Sequence, residues 1–441
     1  MQKVIKFNID QIYTFRAKLI ELAEKYETFL LLDSCPDKKN FFPFGRFDML
    51  AGIGSVEDYS HSAQYSDLSF IESINKNWIL GHISYNYKNQ TIGYTINDNI
   101  NHIGFQNFYF FKPRFLIKLC GREVELQYSP ETEINQLKYV IDTLTSITLI
   151  KKKETYSHIE IDFIKKSEYI NVIHQLQKHI ARGNVYELNY CIDFHATNAC
   201  IDPYNLYLEL TQISPAPFSA FYKQKDKFCI SASPERFIQK NGKKIISQPI
   251  KGTAARADNP TKDGEIKEEL LANDKERAEN IMITDLVRND MAVFAEKKSV
   301  KVDELCQCYS FEHVHQLIST ISCNVKDETS FNDIINAVFP MGSMTGAPKF
   351  NAVKYSDEFE AFNRGLYSGA IGYIDPDMNF DFNVVIRSIL YNSTNKHLSI
   401  PAGSGITAQS IPENEYDECI TKVKALINLI NKQEPQFNSG Q

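Results

Sequence analysis

No stretch rich in proline, glycine or serine divides this 441-residue chain, so nothing in it separates independent modules. The chain exceeds the usual single-domain size, and without a linker two interlocked halves are expected rather than beads. A basic excess is missing as well: 48 lysines and arginines stand against 55 aspartates and glutamates, for a net charge of -7. That balance gives no reason to expect nucleic-acid or anionic-membrane partners, so any anion site has to be local. No apolar run approaches a membrane span, and the opening Met1-Gln2-Lys3-Val4-Ile5-Lys6 lacks the apolar segment of a signal peptide. We therefore expect a cytoplasmic protein. The nine cysteines are odd in number and show no framework spacing, which points to reduced, mostly buried thiols. Cys306 and Cys308 form a C-x-C pair on one face of an expected strand, without neighbours that would complete a metal site. The string Gly342-Ser343-Met344-Thr345-Gly346-Ala347-Pro348-Lys349 lacks Walker spacing, so nucleotide binding is not implied.

What the chain does contain is ample core material, with 29 Phe, 23 Tyr and 43% hydrophobic residues. To about residue 150 it reads as short strands and loops with one early helix. Phe29-Leu30-Leu31-Leu32-Asp33-Ser34 is a buried strand ending at a turn former, and Trp78 to Tyr85 reads as a strand pair in which His82 is a packed residue. Lys151-Lys152-Lys153 marks a solvated connection. From Phe163 to Arg182, Val172, Ile173, Leu176 and Ile180 recur with helical period and open the second half.

Lys251, in Gln248-Pro249-Ile250-Lys251-Gly252-Thr253, is the most informative residue. Pro249 and Gly252 bracket a bend that brings backbone close to a ligand, and Ile246 and Ile250 supply apolar walls. A lysine nucleophile needs its pKa moved from about 10.4 to about 7, roughly 4 kcal/mol, which burial and a nearby cation could supply. Taken alone, a surface lysine before a turn glycine is the simpler reading. On the expected helix from Asp274 to Val287, Glu279 shares its face with Met282, Ile283 and Leu286. A carboxylate on the apolar side wants a cation. Glu415, Glu418 and Lys422 follow one another by single turns, where the plain alternative is a surface pair of a few tenths of a kcal/mol. Glu235 and Arg236 are strand neighbours on opposite faces, which disfavours their pairing.

These residues stand in a fixed series of strings: Ser233-Pro234-Glu235-Arg236-Phe237, Pro249-Ile250-Lys251-Gly252-Thr253, Arg277-Ala278-Glu279-Asn280, Asp285-Leu286-Val287-Arg288-Asn289-Asp290, His315, Gly342 to Lys349, Ile386-Arg387, Ala402-Gly403-Ser404-Gly405-Ile406, and Glu415-Tyr416-Asp417-Glu418 with Lys422. Over roughly residues 165 to 430 the series resembles the chorismate-binding enzymes, which include anthranilate, isochorismate, salicylate and aminodeoxychorismate synthases. Lysine before Gly252, and Asn189 in Gly183-Asn184-Val185-Tyr186-Glu187-Leu188-Asn189, resemble the aminodeoxychorismate branch. Anthranilate and isochorismate enzymes usually carry alanine at the first position. Glu187 departs from the glutamine usual in that string, and isochorismate-forming relatives place a water-activating lysine there, so hydroxyl addition is not expected.

The resemblance implies an α+β fold like that of anthranilate synthase component I, with two packed, mainly antiparallel β-sheets flanked by helices. Residues 1–150 would complete the sheets as a candidate effector region, and 165–430 would form the catalytic domain. It implies Lys251 as nucleophile, Glu235 as the acid that helps the C4 hydroxyl of chorismate leave, and His315 beside that hydroxyl. Mg²⁺ would be held by Glu279 and Glu418 with Glu415, and Glu276 nearby. The substrate would meet Thr253, Thr345, Gly346, Arg387, Gly403, Ser404, Gly405 and Lys422. Tyr373 matches a substrate-contacting tyrosine and suits a strand core equally well. No Cys-His-Glu amidotransferase arrangement is evident, so ammonia is expected from a separate glutamine amidotransferase subunit. The implied product is 4-amino-4-deoxychorismate, for para-aminobenzoate and folate. The alternatives are an anthranilate synthase component I and a non-catalytic chorismate-binding relative.

Overall fold

The structure, a computed structural model, describes residues 3–38, 44–74, 76–93, 99–146 and 159–431; the lysine run at 151–153 lies outside them. All pairings between its named strands are antiparallel. The strand Phe108–Cys120 is the branch point. Along one edge it pairs with Met49–Ser60 over nearly its whole length. Its other edge is shared, with Ile79–Ile83 on Phe108 to Phe111 and Glu123–Tyr128 on Phe115 to Cys120. Pro113, which has no N–H to give a ladder, falls in the gap between the two.

Two limbs leave that strand. One runs through Met49–Ser60, Thr28–Asp33, Phe218–Gln224, Lys227–Ser233, Ser388–Asn392 and His397–Ile406 to Glu187–Ala196. The other runs through Ile79–Ile83, Ala370–Ile374, Phe380–Asn383, Arg236–Asn241 and Lys244–Gln248 to Val314–Asn324, which also carries Ile250–Ala255 and Lys301–Ser310. The expected two sheets are therefore continuous with each other. N-terminal strands lie inside both limbs, since Thr28–Asp33 pairs with Phe218–Gln224 and Ile79–Ile83 with Ala370–Ile374.

One buried apolar cluster lies between the first limb and its helices, and a second joins the limbs, taking Leu30, Tyr222 and Leu390 from the first and Ile238, Ile321 and Ile371 from the second. The helix Lys166–Ala181 fills one of them with Tyr169, Ile173, Leu176 and Ile180, the stripe read from its periodicity. The helix Asp274–Ala292 starts where the Asn273 side chain accepts the Glu276 N–H, and buries Ile283 and Val287 against the second limb. The last helix, Pro412–Asn431, packs on the first limb. Its acidic face and that of Asp274–Ala292 thus come from opposite limbs.

The reading of His82 as a packed residue holds. His82 is fully buried between the Tyr222 hydroxyl and the Gln106 carbonyl, each at 3.0 Å, and burial lowers its pKa to about 4. All nine cysteines are free, and among the described residues Cys306 and Cys308 belong to no metal-binding group. No helix among the described residues is long and apolar enough to cross a membrane.

Candidate active site

The limbs face each other around Lys251. Glu187 opens its strand, and Gly403 to Gly405 close the neighbouring one, with Gly405 opposite Asn189. Lys251 comes from the other limb, on Ile250–Ala255, where the ladder slips between Ile250 and Thr253 and Gly252 adopts a φ of +92°. The Asn280 amide ties this bend down by donating to the carbonyls of Lys251 at 3.2 Å and Leu317 at 3.0 Å.

Lys251 Nζ lies 2.9 Å from Glu187 Oε1, and the Glu187 side chain is 1% exposed. Gly405 makes room for the pair. A Cβ there would stand 2.9 Å from Glu187 Oε1, 3.0 Å from Lys251 Nζ and 3.7 Å from Glu279 Oε2. Three ionisable groups thus converge where a side chain is missing. Burial pushes the Lys251 pKa down, but Glu187 and Glu279 outweigh it and hold the amine above the ordinary lysine value. This reverses the expectation that the site depresses the lysine, because the neighbours that reach it are anions.

Glu279 is pushed up to about 7 by burial, with Lys251 pulling it back and Glu187 adding to the rise. Its Oε1 is buried and has no hydrogen-bond partner. Lys275 stands 3.3 Å from the buried Glu415 and 3.8 Å from Glu279. Across the gap, Lys422 binds Glu418 at 2.6 Å and donates to the Gly403 carbonyl at 2.8 Å. The ordinary i,i+4 pair is therefore present, and it holds the Glu418 carboxyl below its usual range against the effect of burial. Burial raises Glu276, whose Oε2 lies 3.2 Å from where a Gly252 Cβ would be. Among the described residues no three His, Cys, Asp or Glu side chains form a closed metal shell. Mg²⁺ asks for less, taking one or two protein carboxylates and completing its shell with water and substrate oxygens. Hard oxygen donors with an orphaned buried oxygen on Glu279 fit it.

Glu235 is buried and pushed up to about 7 by burial, partly offset by the Ser343 hydroxyl, which donates to its Oε1 at 2.6 Å, and by the charge of Lys251. Arg236 turns the other way and clasps Asp381 at 2.9 and 3.0 Å, although Glu235 lies in the turn before the strand Arg236–Asn241 and not on a strand as expected. Arg387 sits at a φ of +51°, a conformation costly for a non-glycine residue. Its guanidinium has no hydrogen-bond or ion-pair partner among the described residues. Burial lowers its pKa, while Tyr367 and Glu418 pull it upward. A part-buried free fork of this kind suits a carboxylate.

Other expected residues are placed elsewhere. His315 is bound through Nδ1 to Ser310 Oγ at 2.8 Å and through Nε2 to Asp263 at 2.9 Å, so both ring nitrogens are engaged outside the Lys251 cluster. Strand alternation puts its neighbour Gln316 on the opposite face, with Thr253. Gln316 Nε2 donates to Thr253 Oγ1 at 3.4 Å, and its Oε1 is buried without a partner. Tyr373 is a core residue: it packs on Trp78 and Phe47, with ring centres 5.7 and 5.9 Å away, beside a cavity it shares with Arg46 and Asp381. Thr345 donates to the Met341 carbonyl at 3.0 Å and accepts the Asn189 N–H at 2.7 Å. A Cβ on Gly346, at φ +140°, would come within 2.1 Å of the Glu187 carbonyl. These two contacts seat the Glu187 strand. Ser404 is bound to the Tyr169 hydroxyl at 2.9 Å and Gly403 lies against Cys191, so of the three only Gly405 is placed against Lys251. Gln316, Tyr367, Ser343 and the partner role of Glu187 were not singled out from the sequence. Strand alternation at His315 is a signal by which Gln316 could have been found.

The chain belongs to the chorismate binding enzyme family, whose profile matches residues 27–428. The match takes in most of the N-terminal part as well as the stretch that carries the strings. The chain is 40% identical over 319 residues to the chloroplastic aminodeoxychorismate synthase of Arabidopsis thaliana, covering 71% of this chain and 32% of that protein. With aminodeoxychorismate synthase component 1 of Escherichia coli it shares 38% identity over 267 residues, 60% of this chain and 58% of the relative. The chain thus spans about a third and somewhat over half the length of these two relatives. Its fold matches anthranilate synthase component I of Streptococcus pneumoniae with a TM-score of 0.70 at 22% identity, covering 96% and 92% of the two chains.

Proposed function

We propose that this chain is the synthase component that converts chorismate and ammonia to 4-amino-4-deoxychorismate, for para-aminobenzoate and folate. The names of the plant and bacterial relatives support the reaction. The observation that carries it is the side chain of Lys251, half-buried across from the Gly405 gap with Glu235 and Glu279 near enough to feel its charge. In this reading the Lys251 nitrogen bonds to C2 of the ring, and the ring electrons shift to break the bond between C4 and its hydroxyl. Glu235, protonated up to about pH 7, gives that hydroxyl its proton so that it leaves as water. Ammonia then bonds to C4 and the lysine is released from C2. Arg387 grips a substrate carboxylate through its open fork. Mg²⁺, held by Glu279 and Glu418 with Glu415 alongside, supplies positive charge for the other carboxylate when bound. Ammonia comes from a separate glutamine amidotransferase subunit, in keeping with the name of the Escherichia coli relative as component 1.

The test is incubation with chorismate, Mg²⁺ and ammonium salt. Aminodeoxychorismate should form, and anthranilate fluorescence without an added lyase overturns the assignment. Without ammonia, intact-protein mass spectrometry should show an adduct on the wild-type chain and none on Lys251→Ala.

A further inference from the structure

A lysine held as an ammonium has to lose a proton before its nitrogen can bond to carbon. Several charged groups face Lys251: Glu187 from its strand, Glu276 and Glu279 from Asp274–Ala292, Glu418 from Pro412–Asn431, and Glu235 from the turn before Arg236–Asn241, with Lys275 and Lys422 completing the cluster. They differ in what they touch. Lys275 faces Glu279 and Glu415, Lys422 holds Glu418, and the Ser343 hydroxyl holds Glu235. Glu187 is within hydrogen-bond distance of Nζ, at 2.9 Å, and among the described residues has no other cation. Its second oxygen, Oε2, is buried without a partner. A carboxylate so placed survives as an ion only while the ammonium stays beside it. Shifting one proton between them makes both neutral and leaves no unpaired buried charge.

We propose that Glu187 is a further catalytic residue, the base that takes the Nζ proton of Lys251 as that nitrogen bonds to the substrate ring. The inference rests on the reading of Lys251 as nucleophile. In the step, an N–H bond of the ammonium breaks and its proton passes to a Glu187 oxygen. The freed electron pair forms the N–C2 bond, the ring electrons shift, and the C4–O bond breaks with its oxygen taking the Glu235 proton. When ammonia later bonds to C4, the C2–N pair returns to Nζ, and the free amine recovers its proton from Glu187.

The experiment measures the rate of adduct formation on the full chain, with chorismate and Mg²⁺ but no ammonia, from pH 6.5 to 10 by quenched intact-mass readings. Glu187→Gln keeps the shape and removes the base. We expect its rate to fall at least tenfold below wild type at pH 7, with the deficit narrowing as pH rises and solvent removes the lysine proton. Glu187→Asp keeps a carboxylate one methylene shorter, and its deficit should be smaller and constant with pH. An equal or faster rate in Glu187→Gln overturns the proposal, since that is what a carboxylate that merely holds the ammonium would give. A deficit in Glu187→Gln that stays constant across the pH range overturns it too. If the wild type forms no adduct, the reading of Lys251 falls and this one with it; if the wild type forms one and Glu187→Gln matches it, only the role of Glu187 falls.

Discussion

Gly405→Ala adds one methyl group where Lys251, Glu187 and Glu279 meet. The new carbon would stand 2.9 Å from Glu187 Oε1 and 3.0 Å from Lys251 Nζ, whereas ordinary contact begins at 3.4 Å. Both ends must retreat by roughly half an ångström. Each is the free end of a flexible side chain, and the φ of Gly405 lies outside the left-handed region, so the backbone need not move. Stability should therefore fall by only about 1 kcal/mol, the low end of overpacking. Turnover should suffer more, because a misplacement of about 1 Å in a reacting group costs on the order of 100-fold. We expect kcat/KM to fall at least about tenfold, measured with chorismate and ammonium salt beside a urea titration of folding. Gly346→Ala is the control. Its Cβ would meet backbone at 2.1 Å with φ at +140°, so neither neighbour nor chain can yield, and a loss of several kcal/mol is expected. Wild-type turnover in Gly405→Ala refutes the reasoning, as does a loss of folding as large as that of Gly346→Ala.

Three further outcomes follow from the charges. Glu235 is raised to about 7 from 4.5, so its contribution to stability is present in full below pH 4.5 and is lost as pH rises to about 7. Glu235→Gln should then differ little from wild type in stability at pH 4.5 and exceed it by about 3 kcal/mol at pH 8, with turnover abolished; a stability difference that does not grow with pH counts against the buried acid. Arg387→Lys loses the planar fork but keeps the charge, and should raise KM for chorismate about tenfold while folding changes by less than about 1 kcal/mol; an unchanged KM removes Arg387 from the anion site. Glu279→Gln and Glu418→Gln should each shift the Mg²⁺ dependence of turnover to higher concentration with normal circular dichroism, and an unmoved titration in both excludes them as ligands.

Much of the framework was legible in the residues. The stripe of Tyr169, Ile173, Leu176 and Ile180 showed the helix Lys166–Ala181, whereas the helix Asp274–Ala292 buries Asn280, Ile283, Thr284 and Val287, so that of the stripe read with Glu279 only Ile283 turns fully inward. Glu235 and Arg236 do not pair, as expected, but the reason is the turn that holds Glu235 and not strand alternation: Glu235 meets Ser343 and Arg236 meets Asp381. His315 and Tyr373 were less legible, because a string of residues marks a neighbourhood without saying which of two adjacent side chains faces the ligand. One position along the strand separates His315, bound to Ser310 and Asp263, from Gln316, beside Thr253.

By itself the sequence determined local period and the strings that place the chain in its family. The tertiary structure alone decided which charges surround Lys251. Burial by itself would have lowered the amine's pKa, yet residues 187, 279 and 418, far apart in the chain and on three different elements, put their carboxylates around it and reversed the direction. Electrostatic energy depends on distance through space, and sequence spacing carries almost none of that once strands from two limbs fold against each other.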